Sequence, residues 1–415
     1  MGTASITTMS PRAGFFYALA TLAVLAACLA VPRLLSFLPA VLGVAGVAWI
    51  KFRHGTFPAF DKKLAAFFAG IVVWGVIGST WAIDSAYTAE RAIKIAGILF
   101  PALALFASMR SLPCDIPNKD RLVVIAACVC ALAGSILFLE YFFKFFLTRT
   151  VTGMPLEEMP ENMRNGFVLN RSAVFLTAAS LPAALFVWTS GLEKIKKYIW
   201  LGVMFVPVIA CLCVTDSQTA QIAGAFGVVM AFFPSHRKKA RRILMGAVLV
   251  LMFTAPFLIK PTSDAFFART DKIARDSFLQ RASIPHRLEV WNFATDKIAE
   301  RPLFGNGMDS MRFMKADHIM KYMKTDTVLH PHNAVLQIWL EFGAAGIIAA
   351  MAFVAFLFRR IETLPALQQK YYMLLFVVML SILSTGYGLW QAWLIGMLNA
   401  ITAMSVMAVR INSKP

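Results

Sequence analysis

Long, uninterrupted apolar runs constrain this chain more than any other feature. Stretches of roughly 17 to 22 residues, the length that crosses ~30 Å of hydrocarbon as α-helix, occur near 15–31, 34–50, 64–82, 92–109, 122–143, 172–190, 198–215, 218–234, 243–259, 334–358, 371–388 and 391–409. In hydrocarbon each backbone N–H and C=O must be paired within the protein, and a helix does this within one segment. The runs therefore predict an all-α polytopic membrane protein of about twelve transmembrane helices. Hydrophobic residues make up 59% of the 415 and charged residues 15%, so a soluble fold would expose large apolar patches and is excluded.

The connections set the organisation. Residues 1–259 read as a bundle of the first nine helices, 260–331 as one large external loop with amphipathic helices, and 332–415 as the last three helices. With the N-terminus inside, 21 of the 40 Lys and Arg residues fall in the inside segments, among them Lys194, Lys196, Lys197 and the run Arg237 to Arg242. Twelve more lie in 260–330, a segment long enough to be translocated largely regardless of its charge. Both termini are expected inside and the long loop outside.

The net charge of +18 is largely topological. No basic, aromatic-interleaved soluble module is present to hold a strand, so nucleic acid is not an expected partner. Arginine on the outside half points instead to an anionic ligand, a phosphate or a lipid head group. Cys28, Cys128, Cys130, Cys211 and Cys213 fall in helices and Cys114 in an inside loop, so neither an external disulfide nor a zinc site is expected. Leu25-Ala26-Ala27-Cys28 has the form of a lipoprotein cleavage box, but the apolar run continues to Val31 and a retained first helix is expected.

Within the long loop, Asp264 to Arg281 reads as a helix. Ser283 caps a second, with Pro285 in its first turn and Leu288, Trp291, Ala294 and Ile298 on one face. After Arg301-Pro302 and Gly305-Asn306-Gly307, Asp309 to Lys324 reads as a third, Met-rich helix at the membrane interface.

The chemistry concentrates where this loop re-enters the bilayer. His332 and Asn333 stand nine residues before Gly343-Ala344-Ala345-Gly346, the pattern H-N-x9-G-x-x-G. Pro331 suits a first helical position, which places His332 and Asn333 in the first turn, where backbone N–H groups bind anions and the helix dipole favours the neutral imidazole. A neutral imidazole can accept a hydroxyl proton. Asn333, Gln337 and Glu341 then run down one stripe, which must face the protein interior. The alternative is that His332 only caps the helix or sits at the head groups.

Upstream, Pro285-His286-Arg287-Leu288-Glu289-Val290-Trp291 brings a guanidinium that can hold two phosphate oxygens, and the amides of Gly305 and Gly307 offer a turn that could bind an anion. Arg171, Arg91 and Lys94 begin apolar runs on the same side. Each reads either as a substrate contact or as a snorkelling anchor, and His330 and Arg281 complete the set of candidate contacts. The sequence carries no D-x-D, Walker, dinucleotide, H-E-x-x-H or G-x-S-x-G pattern. Neither a metal nor a cofactor is expected.

On these residues the chain resembles the O-antigen ligase and polymerase superfamily of bacterial envelope glycosyltransferases. The likeness rests on His332-Asn333 with Gly343 and Gly346, on the run from Arg287 and Trp291 to Pro302, Gly305 and Gly307, and on one large external loop between late helices. It departs at Thr215-Asp216-Ser217-Gln218, where many members carry an Arg near a Ser-rich turn, a contact that Arg171 or Arg91 would replace.

The resemblance implies an inner-membrane enzyme with its site on the periplasmic face. Its donor would be a glycan on undecaprenyl pyrophosphate, and for a ligase the acceptor would be a lipid A-core sugar hydroxyl, both presented among membrane lipids. His332 and Arg287 would be the catalytic residues of a metal-independent inverting displacement, with Arg171, Arg91, Lys94, Asn333, His330 and Arg281 binding pyrophosphate or glycan. An O-antigen polymerase is the alternative within the superfamily. A transporter or flippase of a lipid-linked anion is the alternative from another class.

Overall fold

The computed structural model describes residues 9–160, 166–235, 237–270 and 284–412. The chain is an all-α multi-pass membrane protein, as its apolar runs require. The first half holds α1 (Pro11–Ala30), α2 (Leu38–His54), α3 (Lys62–Gly78), α4 (Ser85–Arg110), α5 (Lys119–Phe142), the short α6 (Phe146–Thr152) and α7 (Asn170–Thr189). The second holds α8 (Lys194–Val214), α9 (Gln218–Phe232), α10 (Lys238–Thr270), α11 (Ile284–Glu300), α12 (Ala334–Glu362), α13 (Ala366–Thr385) and α14 (Ala392–Ile411).

Every apolar run becomes a helix. Among the described residues nine are long and apolar enough to cross a membrane, while α2 and α3 have 17 residues each and α9 has 15. Large apolar side chains stand outward, such as Phe52 at 92% and Phe232 at 86% exposure. In lipid this carries no penalty, because acyl chains are as apolar as the side chains, and close packing holds the helices together.

The chain falls into two compact units. One comprises Met1–Phe68, Gly97–Phe226 and Ala392–Pro415, and the other Ala69–Ala96 and Gly227–Gln391. In the first, small residues bring helices together: a Cβ on Gly43 would collide with the Leu105 backbone of α4, and one on Gly134 with the Pro207 and Val208 backbone of α8. In the second, α10, α11, α12 and α13 share a core that includes Met252, Phe293, Leu336, Leu340 and Met373. The Trp339 indole there donates to the Met252 carbonyl at 3.0 Å. Residues of the long loop thus belong to one unit with the helices on either side of it.

The loop departs from expectation in two places. Asp264 to Thr270 is helical but starts no new helix, because α10 continues from Lys238 to Thr270 through Pro256 and Pro261, and the rest of the expected helix to Arg281, with the Ser283 cap, lies outside the described residues. Second, Asp309 to Lys324 is not a helix. Only a 3-10 turn at Ser310–Phe313 forms, and the rest pairs back on itself, with Ala316 N donating to Asp326 O, Met320 N to Thr325 O, and a bridge between Lys315 and Thr327. The Glu289 carboxylate on α11 captures the amides of Lys321, Tyr322 and Met323 at 2.6, 2.9 and 3.0 Å. Those amides are satisfied without helix, so the Met spacing loses to a carboxylate brought from α11. The middle helix forms as expected over Ile284–Glu300, with Leu288, Ala294 and Ile298 buried.

Candidate active site

The break in α12 shapes the site. At Gly343 the backbone leaves the helical region (φ 61°, ψ −155°), so carbonyls before it and amides after it lose their helical partners. The segment Arg301–Gly307 replaces them. Asn306 N and its side-chain Nδ2 donate to Leu340 O at 2.9 and 3.0 Å, and Gly307 N donates to Glu341 O at 3.0 Å. In return Ala344 N donates to Pro302 O at 2.8 Å and Ala345 N to Leu303 O at 3.1 Å. The approach is close enough that a Cβ on Gly305 would strike the Glu341 and Phe342 backbone, and one on Gly343 the Leu303 and Phe304 backbone. The two sequence motifs are thus halves of one joint. This corrects the expectation that the Gly305 and Gly307 amides bind an anion, since Gly305 N donates to Arg301 O and Gly307 N to Glu341 O.

His332 also differs from its expected place. α12 begins at Ala334, Asn333 is its N-cap, and the Asn333 Oδ1 accepts from Val335 N at 3.0 Å and Leu336 N at 3.2 Å. Those amides are therefore closed to an anion, and Asn333 works here as a cap. His332 precedes the helix in the left-handed region (φ 54°), which for a non-glycine residue marks a conformation imposed by its surroundings. Its Nδ1 lies 2.6 Å from the carbonyl of Gly386. A carbonyl only accepts, so Nδ1 carries the hydrogen and Nε2 is left with its lone pair when the ring is neutral.

Burial holds the His332 pKa below its ordinary value, the Gly386 carbonyl opposes this, and the charge of Arg287 adds to the lowering. Burial is the first cause, ahead of any helix dipole. His330 stacks edge-on against His332 at 4.2 Å between ring centroids and accepts the His332 amide on Nδ1 at 3.4 Å. Burial first, then His332 and Arg312, push its pKa down to about 3.

α11 delivers Arg287 and holds the histidine in place. Arg287 is half-buried, burial lowers its pKa, and among the described residues it has no hydrogen-bond or carboxylate partner. One turn on, the Trp291 indole donates to Pro331 O at 2.8 Å, next to His332. Glu289, between them, takes the three loop amides.

The other candidates separate. Arg91 is tied to Asp309 at 3.0 Å and donates to Trp390 O at 3.1 Å. Lys94, one turn further, is exposed and pairs with Glu90 at 2.5 Å. Arg171, in the other compact unit, begins α7 and lies over the Trp393 ring at 5.4 Å. Arg281 lies outside the described residues. Among those residues no group of three or more His, Cys, Asp or Glu gathers as metal ligands would.

Asp309, Arg312, Tyr87 and Trp390 were not anticipated from sequence. Asp309 is 3% exposed, and its Oδ2 receives Arg91, Arg312 at 2.8 Å and the Tyr87 hydroxyl at 3.1 Å. An acid in a loop reads as solvated. The one signal that could have found it is its place two residues after Gly305-Asn306-Gly307. Trp390 donates its indole hydrogen to the Glu341 carboxylate.

Comparison with known proteins bears on this geometry. Residues 203–351, a span that contains Arg287, the 301–307 segment, His332 and Gly343, match the O-antigen ligase family. Over that span the chain is similar to O-antigen ligases. A candidate polysaccharide ligase of Rickettsia felis is 22% identical over 357 residues, 83% of this chain and 82% of the relative. One from Rickettsia conorii is 24% identical over 67% of this chain and 65% of its own, and one from Rickettsia bellii is 25% identical over 72% and 68%. The similarity to these relatives extends over most of the chain, beyond the loop and its flanking helices.

Proposed function

We propose that the chain transfers a glycan from an undecaprenyl-pyrophosphate carrier to a hydroxyl of a lipid A-core sugar, at the periplasmic face of the bacterial inner membrane. The carrying observation is His332, whose Nδ1 is committed to Gly386 O at 2.6 Å while burial favours the neutral ring. Such a histidine is a ready general base. Its Nε2 takes the proton of the acceptor hydroxyl as that oxygen bonds to the anomeric carbon. The bond from that carbon to the pyrophosphate oxygen breaks, the electron pair leaves with the pyrophosphate, and the configuration inverts.

Charge builds on the leaving group, so a cation must meet it. Arg287 suits this role, since among the described residues no carboxylate neutralises it and its charge already acts on His332. Arg91 shares Asp309 with Arg312, so two cations on one carboxylate leave a net positive charge, a milder contribution to donor binding. No step is assigned to a metal.

The similarity to proteins described as polysaccharide ligases favours ligase over polymerase, and no specific observation favours a transporter. The test is reconstitution of the purified chain in liposomes with a lipid-linked glycan donor and a lipid A-core acceptor. Product formed without an ion gradient, and lost in His332→Ala, supports the reading. Donor crossing the bilayer with no product would overturn it.

A further inference from the structure

We propose that the buried pair Gln337 and Glu341 on α12 is a positioning device for His332, acting through the turn that follows α13. This rests on the reading of His332 as the base. Gln337 and Glu341 are each 1% exposed. Within a membrane-spanning helix such polar side chains are costly, and their retention calls for a task.

The hydrogen bonds run in one direction. Leu389 N donates to Gln337 Oε1 at 2.8 Å, which turns the amide so that Gln337 Nε2 donates to Glu341 Oε1 at 2.7 Å. The Trp390 indole donates to the other carboxylate oxygen, Oε2. Glu341 is the common acceptor of this chain, and it fixes two consecutive residues, Leu389 and Trp390. Arg91 holds the carbonyl of the same Trp390, and the Trp390 ring packs edge-on against Phe342 at 5.8 Å.

These residues belong to the six-residue connection whose first carbonyl, Gly386 O, receives His332 Nδ1. Between them Gly388 lies against the His330 ring, where a Cβ would stand 2.7 Å from a ring carbon, and Gln391 meets His330 Nε2 at 3.1 Å. The turn is therefore pinned on one side to α12 below the helix cap and on the other to the two histidines. A carbonyl that must hold an imidazole within a few tenths of an ångström needs such support, since a small misplacement of a catalytic group slows the reaction steeply.

Glu341→Gln leaves one acceptor oxygen and places an amide donor where the second donor arrives, so one contact is lost and the turn loosens. Trp390→Phe removes one donor and keeps the aromatic body. In both variants the Gly386 contact weakens. That contact favours the protonated ring, so losing it lowers the His332 pKa. The charged group acting on the His332 ring is Arg287, while His330 packs edge-on against it and is itself acted on by Arg312; all are untouched by either change.

The test uses the full chain in membranes and diethyl pyrocarbonate, which acylates the unprotonated imidazole nitrogen. Peptide mass spectrometry follows modification of His332 against pH, alongside kcat and KM for a lipid-linked glycan donor. In Glu341→Gln and Trp390→Phe the midpoint of His332 modification should move to lower pH. Turnover should fall, up to ~10²-fold, with KM for the donor held. A merely structural role would lower the amount of folded protein and leave the midpoint where it was, and an unchanged midpoint with unchanged kcat would overturn the proposal. Should Glu341→Gln not fold, Trp390→Phe alone decides. If instead the midpoint moves while His332→Gln keeps full turnover, the base assignment fails and the positioning of the ring stands.

Discussion

The indole Nε1 of Trp291 donates to the carbonyl of Pro331 at 2.8 Å. Through this bond the helix that carries Arg287 is tied to the residue next to His332. Trp291→Phe deletes the donor and leaves the buried Pro331 carbonyl unpaired, at a cost of roughly 1–3 kcal/mol. The expected outcome is lower kcat at nearly unchanged KM for the donor, measured in the reconstituted transfer assay. A variant with parental kcat would mean that the bond does not align the two groups.

The joint between Gly305 and Gly343 should be intolerant of a methyl group. Both have positive φ, 71° and 61°, and both abut backbone across the break. Gly343→Ala or Gly305→Ala should cost about 1–3 kcal/mol in backbone strain and about as much again in overpacking. Gly202, on α8 with no heavy atom within 4 Å of an added Cβ, is the control. Thermal unfolding of the purified chain in detergent should show a large loss at the first two positions and none at the third.

Topology is checked with an impermeant thiol reagent on cells with an intact inner membrane. Ile319 is 71% exposed in the long loop, and Lys239 is exposed at the start of α10. Ile319→Cys should be labelled and Lys239→Cys should not. The reverse pattern would put the site on the inside face.

How much of this was legible in the chain follows from what each residue had to satisfy. The spans could be read because the thickness of hydrocarbon fixes their length. α11 could be read because one face of it packs at helical spacing. The break in α12 was hidden, since a glycine in an apolar run fits a continuous helix equally well, and the segment that fills the break lies 36 or more residues upstream. His332 was found but misplaced by one turn, because Pro331 reads as a helix start while the Asn333 side chain takes the capping bonds. Lys94 reads from sequence as a contact or an anchor, and its partner is simply Glu90. The pairing of Arg91 is not legible because Asp309 stands 218 positions away in sequence. Long-range carboxylates such as Asp309 and Glu289 leave no local pattern.

Arg287→Ala should lower turnover by on the order of 10²-fold, the usual loss of one donor aimed at developing charge. Arg287→Lys should also fall well short of the parent, because a point charge cannot offer two parallel N–H groups. Added chelator should leave turnover unchanged. Full activity in the Lys variant would reduce Arg287 to an electrostatic anchor, and inhibition by chelator reversed by magnesium would contradict the metal-independent displacement.

The most direct measurement is the rate of glycan transfer against pH for the parent, His332→Ala and His332→Gln in liposomes. His332 has its pKa lowered, so it is neutral and able to accept a proton at neutral pH, and parental activity should fall only as pH drops through a value under ~6.5. Both variants should insert normally and lose on the order of 10² to 10⁴ in rate, and the residual activity should lack that acid limb. A slow His332→Gln enzyme with the parental pH profile, or one with parental rate, would remove His332 from proton transfer.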